Sequence, residues 1–433
     1  FNGSNNSGES NFDINQGGAA FVFANRNTNS PWKKFTFAIA YDRTNNYDDN
    51  WNAIGTNVNS IDSYFFQQTQ GTELSVFTPS NSELSQYFGI NESRIENDFS
   101  LYVDLAYQFL GEVENLQQQQ NFLGFSSGLI EPDDVTNDNN TNYTSNLGDG
   151  TFTQNYNYVA TGYNGKISFN MAAQYDDNLY LGINLNSHFI DYQRSTLLVE
   201  NNNNPASLIN GIQFENNLST SGNGFSFQLG GIMKLSPEFR VGLTYNSPTW
   251  YTIEEETTQG LATATGTNTP SRINPQIVNI YPEYRLQTPA KVTGSLAYIF
   301  AKKGLLSFDY SKKNYGNTKF KPESDYTDLN TGIRDVLTDA STYRIGGEYR
   351  HKQISFRGGY RFEESPYADG VTVGDLNGYS LGIGFNLGNT KLDVTYDQSE
   401  RSFATPLYNI GLIDTAAIDR TNSNITLSLS FNL

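Results

Sequence analysis

The last stretch of the chain reads Ile425-Thr426-Leu427-Ser428-Leu429-Ser430-Phe431-Asn432-Leu433, with an apolar residue at every odd position and a polar residue at every even one. Successive side chains of a β-strand point to opposite faces, so a period of two produces one apolar and one polar face. The same alternation recurs at 35–41, 179–189, 225–235, 379–387 and 392–396. These segments predict an all-β fold.

Strand length separates two all-β folds that share this alternation. A secreted β-sandwich has strands of about 5 or 6 residues, whereas a tilted strand that spans a membrane needs about 9 to 11. Most of the segments reach the longer figure. Aromatic residues make up 14% of the chain, with 28 Tyr and 29 Phe, as in the aromatic girdles of membrane barrels. We therefore predict a transmembrane antiparallel up-and-down β-barrel in a Gram-negative outer membrane.

The alternation and the turn residues predict thirteen strands. Their expected ranges are 11–25, 33–43, 155–175, 179–195, 212–235, 238–256, 283–300, 304–320, 340–350, 353–363, 376–387, 390–400 and 420–433. Single-chain bacterial barrels close with an even number of strands. We therefore expect about 14 strands, the first of them upstream of Phe1, in a single barrel domain that includes all of residues 1–433.

The predicted connections alternate between tight turns and long loops, as in outer-membrane barrels. Turns such as 176–178, 236–238, 301–304, 351–352 and 388–389 are expected on the periplasmic side. Long loops at 44–154, 196–211, 257–282, 321–339, 364–375 and 401–419 are expected outside. Leu101, Leu105 and Phe109 have helical spacing, so the 44–154 loop is predicted to carry helices over the barrel mouth.

Composition excludes several classes of protein. The chain has no cysteine and only two histidines, His188 and His351, so neither a thiolate metal site nor a Ser/His/Asp constellation can be assembled. We predict no enzyme activity, no metal and no cofactor. A net charge of −18 argues against nucleic acid as a partner, and no apolar run is long enough for a membrane-spanning helix.

Three blocks resemble the FadL/TodX family of outer-membrane transporters of long-chain fatty acids and aromatic hydrocarbons. The first is Gly242-Leu243-Thr244-Tyr245-Asn246-Ser247-Pro248, which resembles a "G-x-x-Y-x-S-P" strand end. The second runs from Leu286 through Pro289 to Ala290, and the third joins 342–350 to 356–360 and to Glu364-Ser365-Pro366. The motif residues expected to be structural are Tyr245, Ser247, Pro248, Pro289, Ser365 and Pro366.

The resemblance covers residues 225–433 well and the N-terminal half only by layout. It implies a 14-stranded barrel with an N-terminal hatch, and passive uptake of hydrophobic small molecules such as long-chain fatty acids or aromatic hydrocarbons. The family's Asn-Pro-Ala hatch motif is absent from this sequence, so the hatch and the first strand are expected to be missing from it. The alternative is a structural or partner subunit of a larger secretion or uptake complex.

One predicted hairpin places charged side chains on the inner wall. With Tyr343, Ile345 and Tyr349 facing lipid, alternation turns their charged neighbours inward, and the candidate ligand-binding residues are Arg344, Arg350, Arg357, Arg361 and Glu348. One interpretation is a ladder of ion pairs with interior carboxylates such as Asp309, Asp393 and Asp397. The other is that one or two free guanidinium groups receive the carboxylate of a fatty acid.

The C-terminal pattern also indicates partners in the membrane. Leu429, Phe431 and Leu433 resemble the signal that the outer-membrane assembly machinery reads. The expected partners are therefore a hydrophobic small-molecule ligand, outer-membrane lipid or lipopolysaccharide, and this machinery, with companions in a membrane complex under the alternative function.

Overall fold

The structure is a computed structural model, and it describes residues 3–27, 29–265, 271–301 and 303–432. The described strands are β1 (Gln16–Ala24), β2 (Trp32–Asn46), β3 (Asp49–Asn57), β4 (Ile130–Pro132), β5 (Tyr143–Ser145), β6 (Phe152–Tyr175), β7 (Leu179–Asn202), β8 (Gly211–Lys234), β9 (Phe239–Asn246), β10 (Trp250–Ala264), β11 (Ser271–Ile273), β12 (Asn279–Ile280), β13 (Tyr284–Gln287), β14 (Lys291–Phe300), β15 (Gly304–Asn314), β16 (Lys319–Lys321), β17 (Asp339–His351), β18 (Ile354–Glu363), β19 (Leu376–Asn386), β20 (Thr390–Pro406) and β21 (Thr415–Phe431). The described α-helices are α1 (Asp62–Thr69), α2 (Leu74–Phe77), α3 (Asn81–Phe88), α4 (Glu92–Glu96), α5 (Phe99–Val113), α6 (Leu116–Ser126) and α7 (Thr327–Val336).

The wall is an antiparallel up-and-down sheet in which each strand pairs with the next one along the chain. β2 continues into β3, because both pair with β6. β9 continues into β10, because both pair with β8, and β13 continues into β14 along β9 and β10. Counted in this way, the described residues contain the thirteen predicted wall strands. The fold is the predicted transmembrane β-barrel, with helix in its long extracellular loop.

The tight turns lie together at the inner end of the wall, as predicted. Asp176, Ala301 and Lys352 have positive φ angles of 46°, 48° and 55°, and Gly388 has 86°. Such two- to four-residue turns need the left-handed region because their twist must match that of the strands they join. The β1–β2 connection also lies at this end, and the longer connections of the wall lie at the outer end.

The first and last wall strands run in the same direction, from the outer end to the inner end. The described residues contain no backbone ladder between β1 and β21. Side chains connect β21 to the neighbourhood of β3 instead. Arg420 of β21 pairs with Asp49 of β3, and Asp414, just before β21, accepts hydrogen bonds from Asn57 and Asn59 at 3.0 and 3.2 Å. A further strand before Phe1 stays a prediction.

Large apolar side chains cover the outward face of the lower wall. Ile345 is 55% exposed, Leu296 46% and Phe169 51%, although each lies in the middle of a regular strand. Water would make such exposure costly, whereas hydrocarbon makes it favourable. The predicted lipid-facing Tyr343, Ile345 and Tyr349 belong to this belt.

The outer parts of several strands are longer than predicted. β3 occupies 49–57, β7 continues to Asn202 and β10 to Ala264, in segments that were expected to be loop. β20 likewise reaches Pro406, and β21 begins at Thr415. These extensions lie above the membrane, where they pack against the helices of the 44–154 region.

The extensions pack against a helical cap, defined here as α1–α6 with the β4–β5 hairpin. The cap holds the main hydrophobic core, in which Phe65, Phe77, Tyr107 and Phe122 are fully buried and Phe214 of β8 nearly so. Leu101, Leu105 and Phe109 lie in α5, which confirms the predicted helix. No described helix is both long enough and apolar enough to cross a membrane.

Local sequence signals explain where the cap helices begin. Ser80 and Glu83 form a capping box at α3, in which each side chain accepts a hydrogen bond from the other residue's backbone N–H. Asp98 and Asn115 cap α5 and α6 by accepting from Leu101 N and Gln118 N at 3.1 and 3.2 Å. The cap therefore has its own helix signals, independent of the wall.

Candidate functional site

A belt of hydroxyl and amide side chains lines the lumen at the level of the membrane. Ser168 donates to Asn186 at 2.7 Å, and Asn186 donates to Ser226 at 3.1 Å. His188 Nε2 lies 2.7 Å from the Ser226 hydroxyl, and Asn170, Asn184 and Gln228 continue the chain one row below. Side chains alternate between the two faces of each strand, with the apolar ones toward lipid, so the polar ones face the lumen here.

The predicted charged hairpin lies on β17 and β18, where its side chains form a ladder of ion pairs. Arg357 Nε donates to Glu348 at 2.7 Å and also pairs with Asp393. Arg350 pairs with the other oxygen of Glu348. Arg344 and Arg361 each lie 3.7 Å from Glu363.

Arg344 and Arg361 also border a cavity of about 480 Å³. Its lining includes the small residues Gly346, Gly359 and Ser380, and also the carboxylates of Asp309 and Asp397. The structure therefore brings all four predicted arginines and Glu348 onto one inner wall. It gives each arginine a carboxylate neighbour, and a ligand carboxylate would have to compete with these.

A second cavity of about 410 Å³ lies between the cap and the outer part of the wall, and we call it the capped cavity. Half of its fourteen lining residues are aromatic or aliphatic, and half are polar or charged. The aromatic and aliphatic lining residues are Tyr64, Leu116, Tyr156, Leu218, Pro406, Leu407 and Tyr408. The volume is within the range of small-molecule sites.

Two polar groups in the capped cavity lack partners among the described residues. Arg194 forms no hydrogen bond or ion pair with any of them. The Tyr408 hydroxyl is buried without a hydrogen-bond partner. Burial raises the pKa of Tyr408 well above its ordinary value, so the hydroxyl keeps its proton and can donate. A ligand oxygen would satisfy either group.

Glu200, on the outer extension of β7, fastens the cap beside this cavity. Its carboxylate accepts hydrogen bonds from Ser60 Oγ, from Ile61 N at 3.1 Å and from Gln154 Nε2 at 2.7 Å. Burial raises the pKa of Glu200 to about 7, and the nearby Asp62 adds to the effect. The segment that leads from β3 into α1 is therefore held by a titratable group.

The predicted motif residues lie where strands break. Ser247 Oγ accepts from Phe227 N at 2.9 Å and donates to the Pro248 carbonyl at 2.7 Å, between β9 and β10. Pro289 is buried in the matching break between β13 and β14, where Thr249 N donates to Thr288 Oγ at 2.9 Å.

The other motif residues have comparable positions. Ser365 Oγ donates to the Val373 carbonyl at 2.6 Å, and the Pro366 carbonyl accepts from Thr338 N at 2.9 Å. Tyr245 faces outward in the apolar belt. Of the C-terminal residues, Leu429 and Phe431 face outward as well, and Leu433 lies outside the described residues.

Sequence reasoning missed Tyr408, because residues 401–419 were expected to be loop. It also missed Arg194 and Tyr156, which lie in the predicted strands 179–195 and 155–175, because the cap that covers this part of the wall was not placed against them. One signal was available in Asn155-Tyr156-Asn157-Tyr158, where the rings occupy even positions although the apolar residues of the membrane segment, Ile167 and Phe169, are odd. Such a change of face marks a strand that leaves lipid and packs inward. In the described ranges, no group of three His, Asp or Glu side chains is arranged to hold a metal ion.

An apolar belt, a polar lumen and a ligand-sized cavity at the outer mouth define an outer-membrane barrel of the transport class. Residues 134–402 match the family model described as outer membrane protein transport protein (OMPP1/FadL/TodX). The chain belongs to this family of Gram-negative outer-membrane transport channels, and it is not an enzyme.

Several solved structures are similar in fold. The P. putida toluene transporter TodX is 13% identical over 67% of this chain and 81% of its own, with a TM-score of 0.44. The CymD monoaromatic hydrocarbon channel is 15% identical over 65% and 79%, with a TM-score of 0.40. A Pseudomonas aeruginosa FadL homologue is 13% identical over 65% and 74%, with a TM-score of 0.42. No curated protein matches the chain.

Proposed function

We propose that this barrel takes up hydrophobic small molecules passively and that the capped cavity is the first binding site. The observation that carries the proposal is the group of aromatic and aliphatic side chains in the lining of that cavity at the outer mouth, directly above a polar lumen. A hydrophobic molecule that enters it leaves water, which contributes about 0.8 kcal/mol per buried CH₂ group. The gradient across the membrane then drives net movement inward.

The free polar groups favour a ligand with an acidic head. Arg194 borders the cavity without an ion pair in the described residues, and a guanidinium group matches a carboxylate in a two-point contact. The buried Tyr408 hydroxyl offers a further donor. We propose that long-chain fatty acids bind with the carboxylate at Arg194 and that aromatic hydrocarbons use the rings alone.

Arg344, Arg350, Arg357, Arg361 and Glu348 are proposed as a second, weaker contact for a charged head. Their ion pairs with Glu348, Glu363 and Asp393 compete with a ligand. Arg344 and Arg361 have the longest of these contacts, and they border a cavity, so they are the two best suited to exchange partners.

Uptake by cells tests the proposal. Cells that display the barrel should accumulate radiolabelled oleate and toluene faster than cells without it. Arg194→Gln should weaken oleate uptake about tenfold, as expected for loss of one hydrogen bond to a charged group, and should leave toluene uptake unchanged. Arg94→Gln, on the exposed α4 of the cap, is the matched control. Failure of the wild type to transport either compound would overturn the proposal.

We also propose that Leu429 and Phe431, with Leu433, engage the assembly machinery before the barrel closes. Both described side chains lie on the outward, lipid-facing side of β21, where a partner strand can read them. The apolar belt provides the contact with outer-membrane lipid or lipopolysaccharide.

A further inference from the structure

We propose that a row of aromatic rings on the inner wall guides the ligand from the capped cavity down to the polar belt. We name this row the aromatic track, and its members are Tyr156, Trp51, Tyr158, Tyr192, Tyr47 and Tyr251. The inference rests on the proposed function, which supplies the ligand and its starting point, and it assigns the positioning residues of the path.

The upper half of the track begins in the capped cavity. Tyr156 lines that cavity, and its ring centroid lies 5.7 Å from that of Trp51. Trp51 stacks on Tyr158 at 5.0 Å with an interplanar angle of 12°. Trp51 and Tyr158 are direct partners in the β3–β6 ladder, so the two rings lie on the same inward face.

The lower half continues on β7 and β10. The hydroxyl groups of Tyr158 and Tyr192 lie 3.1 Å apart, and the Tyr192 ring packs edge-on against Tyr47 at 5.1 Å. Tyr251 lies lower on the inner wall, level with His188, because both residues are ladder partners of Gly224. Tyr251 in turn packs against His188 at 5.8 Å, and His188 belongs to the polar belt. The track therefore joins the two parts of the site already described.

A β-bulge turns Tyr47 into this row. The register between β2 and β6 shifts between Arg43 and Asn45, opposite Gly165 and Asn164, and beyond the shift Tyr47 N donates to the Gly162 carbonyl at 2.9 Å. Gly162 has a φ of +116°, and a Cβ at this position would lie 2.2 Å from the Asp191 carbonyl oxygen. Only glycine therefore permits the close approach, and the bulge re-aims the neighbouring side chains.

Partial exposure distinguishes the track from the structural core. Tyr156, at the start of the track, is buried and belongs to the core. The other five members are half-buried, whereas Tyr107 and Phe65 of the cap core are fully buried. Rings that served only to hold the wall would be covered in the same way. The half-buried rings instead present apolar faces to the lumen.

Ring spacing gives the track its physical effect. Neighbouring centroids lie 5.0 to 5.7 Å apart where rings touch directly, about the width of one aromatic ring. A hydrophobic ligand can thus contact the next ring before it leaves the last, and no step exposes it fully to water. The contact at each step is weak, so the ligand is guided without being trapped.

Substitution of Tyr192 tests the path. Tyr192→Asn places an amide in the middle of the row, and we expect uptake of both oleate and toluene to fall about tenfold. Tyr192→Phe keeps the ring and should retain wild-type uptake, although it loses the hydroxyl contact with Tyr158. Tyr87→Asn, on the exposed surface of the cap, is the control, and heat-modifiable migration on gels verifies that every variant folds.

Trp51 supplies a measurement that does not depend on transport. Replacing Trp32 and Trp250 with phenylalanine leaves Trp51 as the single tryptophan, because the chain has three. Bromobenzene, a contact quencher, should then quench the emission saturably in purified protein, and toluene should compete. In a Tyr156→Asn background, quenching should need a higher concentration of bromobenzene.

The outcomes of these experiments distinguish failure of the aromatic track from failure of the proposed uptake function. Wild-type uptake with normal uptake by Tyr192→Asn, or Trp51 emission that bromobenzene quenches without saturation, would overturn the aromatic track and leave the proposed function standing. Absence of uptake by the wild type would overturn the proposed function itself. Reduced uptake by Tyr192→Asn, normal uptake by Tyr192→Phe and saturable quenching would together support the track.

Discussion

Glu200 is a buried carboxylate without an ion-pair partner in the described part of the chain. Hydrogen bonds from Ser60, Ile61 and Gln154 favour its charged form, but burial outweighs them and raises its pKa from 4.5 to about 7. Because the folded-state pKa is raised, the stabilisation from a protonated Glu200 is complete below about pH 4.5 and is lost as the pH rises through about 7. The difference corresponds to roughly 3 kcal/mol at most.

The attachment of the cap should therefore weaken between about pH 4.5 and pH 7. Hydrogen exchange of the α1 amides should become faster over this range, beyond the intrinsic effect of pH on exchange. Glu200→Gln should remove most of the additional dependence, because its amide oxygen can still accept from Ile61 and Gln154. Glu83→Gln, in the exposed capping box of α3, is the control. An unchanged pH profile in Glu200→Gln would contradict the assignment.

The long wall strands change face where they leave the membrane. In the lower part of β8 the apolar residues Phe225 and Leu229 point outward, whereas in the upper part Ile212 and Phe214 point inward and are buried. β6 shows the same reversal between Phe169 and Tyr156. Each strand is thus apolar toward lipid below and apolar toward the cap above.

This reversal explains what could be predicted from the sequence. Below the reversal the alternation was regular, and the thirteen strands and their turns were found. Above it, Asn-rich stretches such as 201–204, where β7 ends, resemble loop composition, so the extensions were missed. The charged hairpin was found by alternation alone. The capped cavity was not, because its lining joins Tyr64, Arg194 and Tyr408 from distant parts of the chain.

The packing of β8 against the cap gives a prediction at this scale. Phe214 contacts the rings of Phe65, Tyr64 and Tyr408 at centroid distances of 5.0 to 5.9 Å. Phe214→Ala should destabilise the cap by about 3–5 kcal/mol, through lost burial and a cavity. Limited proteolysis of 57–126 should then become faster, while Gln213→Ala, on the exposed face of the same strand, should not change it. Equal proteolysis of both variants would contradict this packing.

In the whole molecule, one face of the wall is in contact with lipid and the other face is in contact with the lumen. Leu296 faces lipid, whereas Ser295 faces the lumen opposite Asp309. Leu296→Arg should destabilise the barrel by about 2–4 kcal/mol if it lies near the bilayer midplane, and Ser295→Arg should be tolerated beside Asp309. Urea-induced unfolding in lipid vesicles measures both changes. Equal loss in the two variants would refute the assignment of faces.

The change of face on β6 and β8 also fixes how deep the protein sits. A displacement of two residues along a strand is about 7 Å. Inward, it would push the polar outward-facing side chains just above the apolar belt into hydrocarbon, and outward, it would lift the uppermost side chains of that belt into water. Both shifts are unfavourable, so the order of residues along each strand determines where the membrane surface crosses it. The mouth is thereby held at a constant height above the lipid, without any anchor outside the wall.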